Sequence, residues 1–287
     1  GREVVDVYDH DHDHVDDKRH NADPPFQGRL PSSVRIVYAR PVPVAEWRVV
    51  TYRSLLPLVA AAWLALLPAC VCARVSTLHP SSRRPDQIVL TFSGDPRSSL
   101  TVSWRQSAEG AADRVEVRSP TTGEAWSVRA SCLPIDSGRF VAISNDKVVQ
   151  RCSADLSGLL TDSVYQYRPV APGEGEASEW RSFRTAPAGP RVPVSFFYFG
   201  DVQAGIDTWS RGYEAAVLRH PEVRFSLQVG DLVNLGARRA DYDEAFAGAP
   251  EAFALLPFVP VLGNHEYFLG GEALFERIFV LSGVGPS

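Results

Sequence analysis

Tyr198-Phe199-Gly200-Asp201-Val202-Gln203 decides the reading of this chain, together with its two echoes, Gly230-Asp231-Leu232-Val233-Asn234 and Gly263-Asn264-His265-Glu266. Each is a short polar stretch on the end of an apolar run. Val194 to Phe199, Phe225 to Val229 and Phe258 to Leu262 are rich in β-branched and aromatic residues, have strand length and close on glycine. That is the pattern of buried parallel strands. The intervals between the motifs, about thirty residues each, are long enough for the crossover helix that parallel strands require. The three runs predict a βαβαβ unit. Ligands of such open sheets collect outside the carboxyl ends of the strands, which brings Asp201, Asp231, Asn264 and His265 to one rim. Oxygen donors and an imidazole are ligand types that divalent metals take from proteins, and a carboxylate between two ions bridges them. A two-metal hydrolase is the expectation.

In order and spacing the three motifs resemble those of the calcineurin-like metallophosphoesterases, over Val194 to about Gly270. The resemblance implies Asp201 as a ligand of the first metal, Asp231 as the bridging carboxylate and Asn264 as a ligand of the second through its side-chain oxygen. It implies His265 as the residue that contacts the phosphoryl group and assists the leaving oxygen, with Glu266 orienting it. Two metal ions, divalent or trivalent, follow, with Fe, Mn and Zn all open. A pair of ions about 3.5–4 Å apart activates water and clamps the attacking and leaving oxygens of an in-line displacement. Many relatives carry histidine where this chain has Gln203, and purple acid phosphatases carry tyrosine where it has Asn234. Without that phenolate no purple ferric centre is expected. Weak coordination, a hydrogen bond to substrate and turn capping all stay open for Gln203 and Asn234. Relatives take their remaining ligands, a histidine and a Gly-His-x-His loop, from a second half of the sheet. The sequence given is therefore expected to hold part of the metal site and, by itself, to bind metal weakly and turn over little.

With 287 residues, 45% hydrophobic and 22% charged, the chain has the length of two domains. A net charge of −5 argues against a nucleic-acid-binding surface, so the substrate is expected to be small or displayed and not a duplex. That it is a small phosphorylated molecule is what the resemblance implies. Methionine is absent, position 1 included, so the sequence reads as a fragment or an over-extended translation. Residues 1–52 show no sustained period and are expected to be disordered or not native. Asp9-His10-Asp11-His12-Asp13-His14 is a His-rich tract of metal-binding type, weighed against a solvated leader. Residues 53–73 follow a basic residue with an apolar run and small residues, the make-up of a secretory signal. Val49 or Val50 is the expected start if an alternative codon is used. Cleavage after Ala73, lipidation of Cys70 in a Leu67-Pro68-Ala69-Cys70 lipobox, and an uncleaved membrane anchor remain open. All three place the remainder outside the cytoplasm. There Cys132 and Cys152 are a pair free to form a disulfide, with a zinc site as the weaker reading.

Val75 to Pro85 reads as a linker. Short alternating segments then span residues 86–187: Gln87 to Phe92, Leu100 to Trp104, Arg114 to Arg118, Ala125 to Arg129, Phe140 to Ile143, Val164 to Tyr167 and Glu179 to Phe183. About seven strands separated by turns such as Gly94-Asp95-Pro96 predict an antiparallel sandwich. Leu100, Val102 and Trp104 share its packed face. Ile88 to Pro96 followed by Leu100 to Trp104 is similar to the fibronectin-III-like N-terminal domain of purple acid phosphatases. By that resemblance Tyr165 or Tyr167 is the corner tyrosine. The fold class expected is thus multidomain: an antiparallel β-sandwich, then the first half of an α/β metallophosphoesterase sheet at 192–287. In that second part Asp207 or Thr208 is expected to cap one helix. A second begins in the mixed charge of Arg238, Arg239, Asp241, Asp243 and Glu244, with no chemistry assigned to it.

An exported phosphomonoesterase is the leading function. A phosphodiesterase or nucleotidase of the same fold is the alternative within the class, and a secreted non-catalytic binding module the alternative outside it.

Overall fold

The computed structural model describes residues 35–38, 73–136, 141–171, 178–189 and 191–281. The 9–14 tract, the signal stretch up to residue 72, Cys70 and Cys72 lie outside the described residues. No helix among the described residues is long and apolar enough to cross a membrane.

Two short strands come first, β1 (Arg35–Tyr38) and β2 (Ala73–Val75). Eight of the next nine strands build two antiparallel sheets: β3 (Asp86–Thr91), β4 (Ser99–Ser107), β5 (Arg114–Arg118), β6 (Ala125–Arg129), β7 (Ser131–Asp136), β9 (Val148–Ser157), β10 (Val164–Val170) and β11 (Arg181–Arg184). Between them β8 (Val141–Ile143) pairs in parallel with β2. The sheet orders are β3-β4-β9-β7 and β11-β10-β5-β6. Leu90, Leu100, Val102, Trp104, Cys152, Ala154 and Leu156 from the first sheet meet Val115, Val117, Tyr165, Tyr167 and Phe183 from the second in one apolar core. This is the expected sandwich. Tyr165 is the corner tyrosine, its hydroxyl accepting from the Leu160 amide at 2.8 Å. Tyr167 instead donates to the Ala254 carbonyl at 2.6 Å, beyond the sandwich.

The second part holds β12 (Ser195–Phe199), α1 (Ile206–Arg219), β13 (Val223–Val229), α2 (Arg239–Gly248), α3 (Pro250–Leu255), β14 (Phe258–Val261), α4 (Asn264–Tyr267) and α5 (Glu272–Phe279). β12, β13 and β14 run parallel as neighbours, as predicted, and β1 adds in parallel to β12. The leader therefore contributes a strand where none was expected. Its Ile36-Val37-Tyr38 supplies the β-branched and aromatic composition that a four-residue strand needs. Phe199, Trp209, Tyr213, Phe253 and Phe258 interlock beneath the sheet with ring centroids 4.8–6.4 Å apart. α1 begins at Ile206 after Gly205, two residues earlier than a cap at Asp207 would place it, and without a side-chain cap. Asp207 lies in its first turn and pairs with Arg211, so it meets the positive helix end without capping it.

Two strands of the sandwich escaped the sequence pattern, β7 and β9, and β9 is the longest among the described residues at ten residues. Along β4 and the first half of β9 both faces of their sheet are covered, one by the sandwich core and the other by the α/β part, while Ser131, Leu133 and Pro134 of the edge strand β7 are exposed. The second face carries Ser103, Arg105 and Arg151. Polar residues on a buried face erase the alternation that marks a strand in sequence. At this face Arg105 binds Asp86 at 2.6 Å and Asp243 at 2.8 Å, and Arg239 binds Asp146 at 3.2 Å. Gln87, left-handed at φ 45° in a bulge of β3, turns its amide onto Asp243 at 2.8 Å. Arg239 and Asp243, which stand in the run of mixed charge that begins α2, are 2% and 0% exposed. They face the sandwich, not solvent.

Electrostatics separates the two sandwich arginines. Burial opposes the Arg105 charge, but the Asp86 hydrogen bond and the carboxylates of Asp86, Asp243 and Asp146 outweigh it and raise its pKa. Arg151 has only the Gln87 carbonyl and the Ser103 hydroxyl as hydrogen-bond acceptors, and burial pulls its pKa down to about 9.

Cys132 and Cys152 face each other across β7 and β9 and are bonded. In the chain-entropy picture a loop of this size stabilises by about 3 kcal/mol. Replacing both cysteines by alanine is expected to lower unfolding stability by about that amount, read from denaturant melts of the oxidised protein and the variant.

Candidate active site

β12 and β13 each run into a glycine and then an aspartate in the left-handed region, Asp201 at φ 54° and Asp231 at φ 57°. Among residues with a Cβ, aspartate and asparagine enter this region most readily. Two such residues at equivalent positions on neighbouring strands are held there by what surrounds them. The Asp201 amide donates to the Gly230 carbonyl at 3.1 Å, and the Val202 amide to the Asp231 carbonyl at 3.0 Å. The His265 amide donates to Asp231 Oδ1 at 2.9 Å. These contacts draw all three strand-end loops onto one rim.

Glycine makes the approach possible. Gly230 is left-handed at φ 95°, and a Cβ there would lie 2.8 Å from the Gly263 Cα. A Cβ on Gly263 would lie 2.2 Å from Asp231 Oδ1. The second and third loops touch backbone to backbone.

Glu266 fastens them. Its side chain is 0% exposed. Oε2 accepts from the amides of Asp231 and Gly263, each at 2.8 Å, and Oε1 from the amide of Val233 at 3.1 Å. The bond to Gly263 is the half of a capping box that a glycine N-cap allows. Glu266 was expected to orient His265, and that expectation is corrected. The His265 Nδ1 meets the Asn234 carbonyl at 2.8 Å. A carbonyl only accepts, so Nδ1 donates and the neutral ring keeps Nε2 as its acceptor. The physical reason is reach: Glu266 is buried among amides, whereas the His265 ring is partly exposed.

Of the expected ligands, Asp201 and Asn264 are exposed and Asp231 is buried. The Asn234 backbone carbonyl holds the histidine, which leaves its side chain exposed at the rim. Gln203 opens a short 3-10 turn, and its Oε1 is buried without a hydrogen-bond partner among the described residues. No group of three or more His, Cys, Asp or Glu side chains among the described residues is placed to hold a metal. The strand ends bring two carboxylates and one amide.

Asp241 is a site-supporting residue that the sequence reading missed. From α2 its Oδ2 accepts from the Leu235 amide at 3.2 Å, and it pairs with Arg238. No motif marks it, because the contact depends on the path of the loop after Asp231.

The architecture is an antiparallel sandwich joined to a parallel α/β sheet with polar loops at its carboxyl edge. Residues 85–185 match the family described as purple acid phosphatase, N-terminal domain. This chain thus carries a purple-acid-phosphatase-like N-terminal domain. The sequence matches no curated protein. Among solved structures it is similar to purple acid phosphatase PPD1 from yellow lupin (Lupinus luteus) seeds, at 17% identity and a TM-score of 0.53, over 71% of this chain and 40% of that one. It is also similar to PhoD, at 18% identity and a TM-score of 0.44, over 66% of this chain and 40% of that one. The third fibronectin III domain of human KIAA0343 protein matches at 16% identity and a TM-score of 0.24, over 41% of this chain and 92% of that domain. The chain thus spans about 40% of the length of the first two of these structures.

Replacing Glu266 by glutamine would set an amide donor against backbone donors in a dry site. A loss of about 3 kcal/mol is expected. The measurement is a denaturant melt, with hydrogen exchange at the Asp231, Val233 and Gly263 amides showing that the loss begins at the loops.

Proposed function

We propose that the protein is an exported metal-dependent phosphoesterase acting on phosphomonoesters, with Asp201, Asp231 and Asn264 as metal ligands and His265 beside the phosphoryl group. The observation that carries this reading is the stitching of three strand-end loops, with two left-handed aspartates, onto one rim. The donor set suits hard cations, since it is made of carboxylate and amide oxygens. The orphaned Gln203 Oε1 at the same loop adds an oxygen that a cation or a donor group of the substrate would satisfy.

Two bound ions, of iron, manganese or zinc, would supply Lewis-acid activation of water and neutralise charge on the phosphoryl group. The chain's own residues hold and orient. Asp231, fixed through its backbone and one carboxylate oxygen, is the expected bridge. His265, locked at Nδ1 by Asn234, presents Nε2 for a hydrogen bond at the leaving oxygen. The substrate is a small phosphorylated molecule and not a nucleic acid, in keeping with the net charge of −5. Export is supported by the Cys132–Cys152 disulfide, a bond of oxidising compartments.

In the metal-loaded full-length parent, Asp231→Asn is expected to lower kcat/KM for p-nitrophenyl phosphate by at least about a thousandfold. Metal content measured on the same samples separates loss of ions from loss of chemistry. Near-parental activity with the metals in place would overturn the assignment of the bridge.

A further inference from the structure

We propose that the β-sandwich sets the position of the second strand-end loop, with α2 as the rigid link between them. One face of α2 belongs to the sandwich. Asp243 takes Arg105 at 2.8 Å and Gln87 at 2.8 Å, and Arg239, one helical turn away, takes Asp146 at 3.2 Å. Both helix residues are buried, so neither partner is exchanged for water without leaving a dry charge behind.

Asp241 lies between them in sequence and points elsewhere around the helix. It accepts from the Leu235 amide at 3.2 Å, and the Arg238 amide donates to the Leu235 carbonyl at 2.8 Å. The same loop then holds the histidine twice. The Asn234 carbonyl accepts from His265 Nδ1 at 2.8 Å, and the Gly236 amide donates to the His265 carbonyl at 2.9 Å. A continuous path of short polar contacts therefore runs from Arg105 on β4 to the His265 ring. Asp243, Arg239 and Asp241 are positioning residues, because they touch the loop or the sandwich and not the reacting atoms.

The charged groups packed at this junction are Arg105, Arg151, Arg239, Asp86, Asp146 and Asp243, equal numbers of each sign. A balanced set suits a fixed joint, since no net charge drives it apart. Its consequence for metal binding rests on the proposed function, whereas the mechanical link does not.

The test compares Asp243→Asn and the milder Gln87→Leu with the parent by residue-resolved hydrogen exchange and by titration with Mn²⁺. Selective acceleration of at least tenfold at the Leu235 and Gly236 amides is expected, with the amides of Val102 and Leu227 unchanged and Mn²⁺ affinity lowered about tenfold. Arg168→Met, which breaks the Arg168–Glu116 pair elsewhere on the sandwich, is expected to change none of these. Unchanged exchange at both loop amides, or a uniform rise across all amides, would overturn the link. Selective exchange with Mn²⁺ affinity unaltered would overturn its role in the site. If the parent binds no Mn²⁺ while the loop amides still respond, the link stands and the metal reading fails.

Discussion

Strand β4, at the centre of the sheet β3-β4-β9-β7, is covered on both faces, and most of what is distinctive in this protein follows from that. On one side Leu100, Val102 and Trp104 pack into the sandwich as an ordinary β-sheet face does. On the other, Thr101, Ser103 and Arg105 are just as dry. A buried charge without a partner costs several kcal/mol, so every cation on that face must find an anion or a set of acceptors. Arg105 finds Asp86 and Asp243, and Arg151 settles for neutral oxygens and the ring of Phe246. Such pairs add little net stability over an apolar contact, but they are directional. They fix how the sandwich meets α2 more sharply than hydrophobic packing alone would.

Apolar contacts support the same arrangement. Val89, Ile135 and Val149 leave the sandwich to join the core of the α/β part, and Ala254 of α3 packs into the sandwich core. The carboxyl edge of the parallel sheet is thus built on a braced foundation. At that edge the loops are joined by backbone contacts, which tolerate no side chain at Gly230 or Gly263. Glu266 converts the remaining unpaired amides of two loops into one hydrogen-bonded group. Rigid support of this kind is what ligands of a small hard cation need, since their oxygens must be in place before the ion arrives.

The parallel strands were legible to within a residue or two because they are short runs rich in β-branched and aromatic residues, and Gly-Asp and Gly-Asn-His mark their ends. Arg114–Arg118 and Ala125–Arg129 were read at their true bounds, since their outward faces are polar and alternate. β9 was not legible. Its Arg151 and Ser153 look like part of a turn until the α/β part packs against their face. The burial of Arg239 and Asp243 was not legible for the same reason, as charges on a helix are usually solvated and only the partner surface shows otherwise. Glu266 followed the motif in identity but not in role. A motif names the residue types at a strand end, and the amides that surround a side chain are set by loops from elsewhere in the chain.

The central claim is that the three strand-end loops form a single cation-binding rim. Anomalous diffraction from crystals equilibrated with millimolar Mn²⁺ tests it most directly. A peak in coordination contact with the carboxylates of Asp201 and Asp231 is predicted, with the Asn264 side-chain oxygen beside it. An anomalous map featureless at that rim under saturating Mn²⁺, or with its peaks only on other carboxylates, would contradict it.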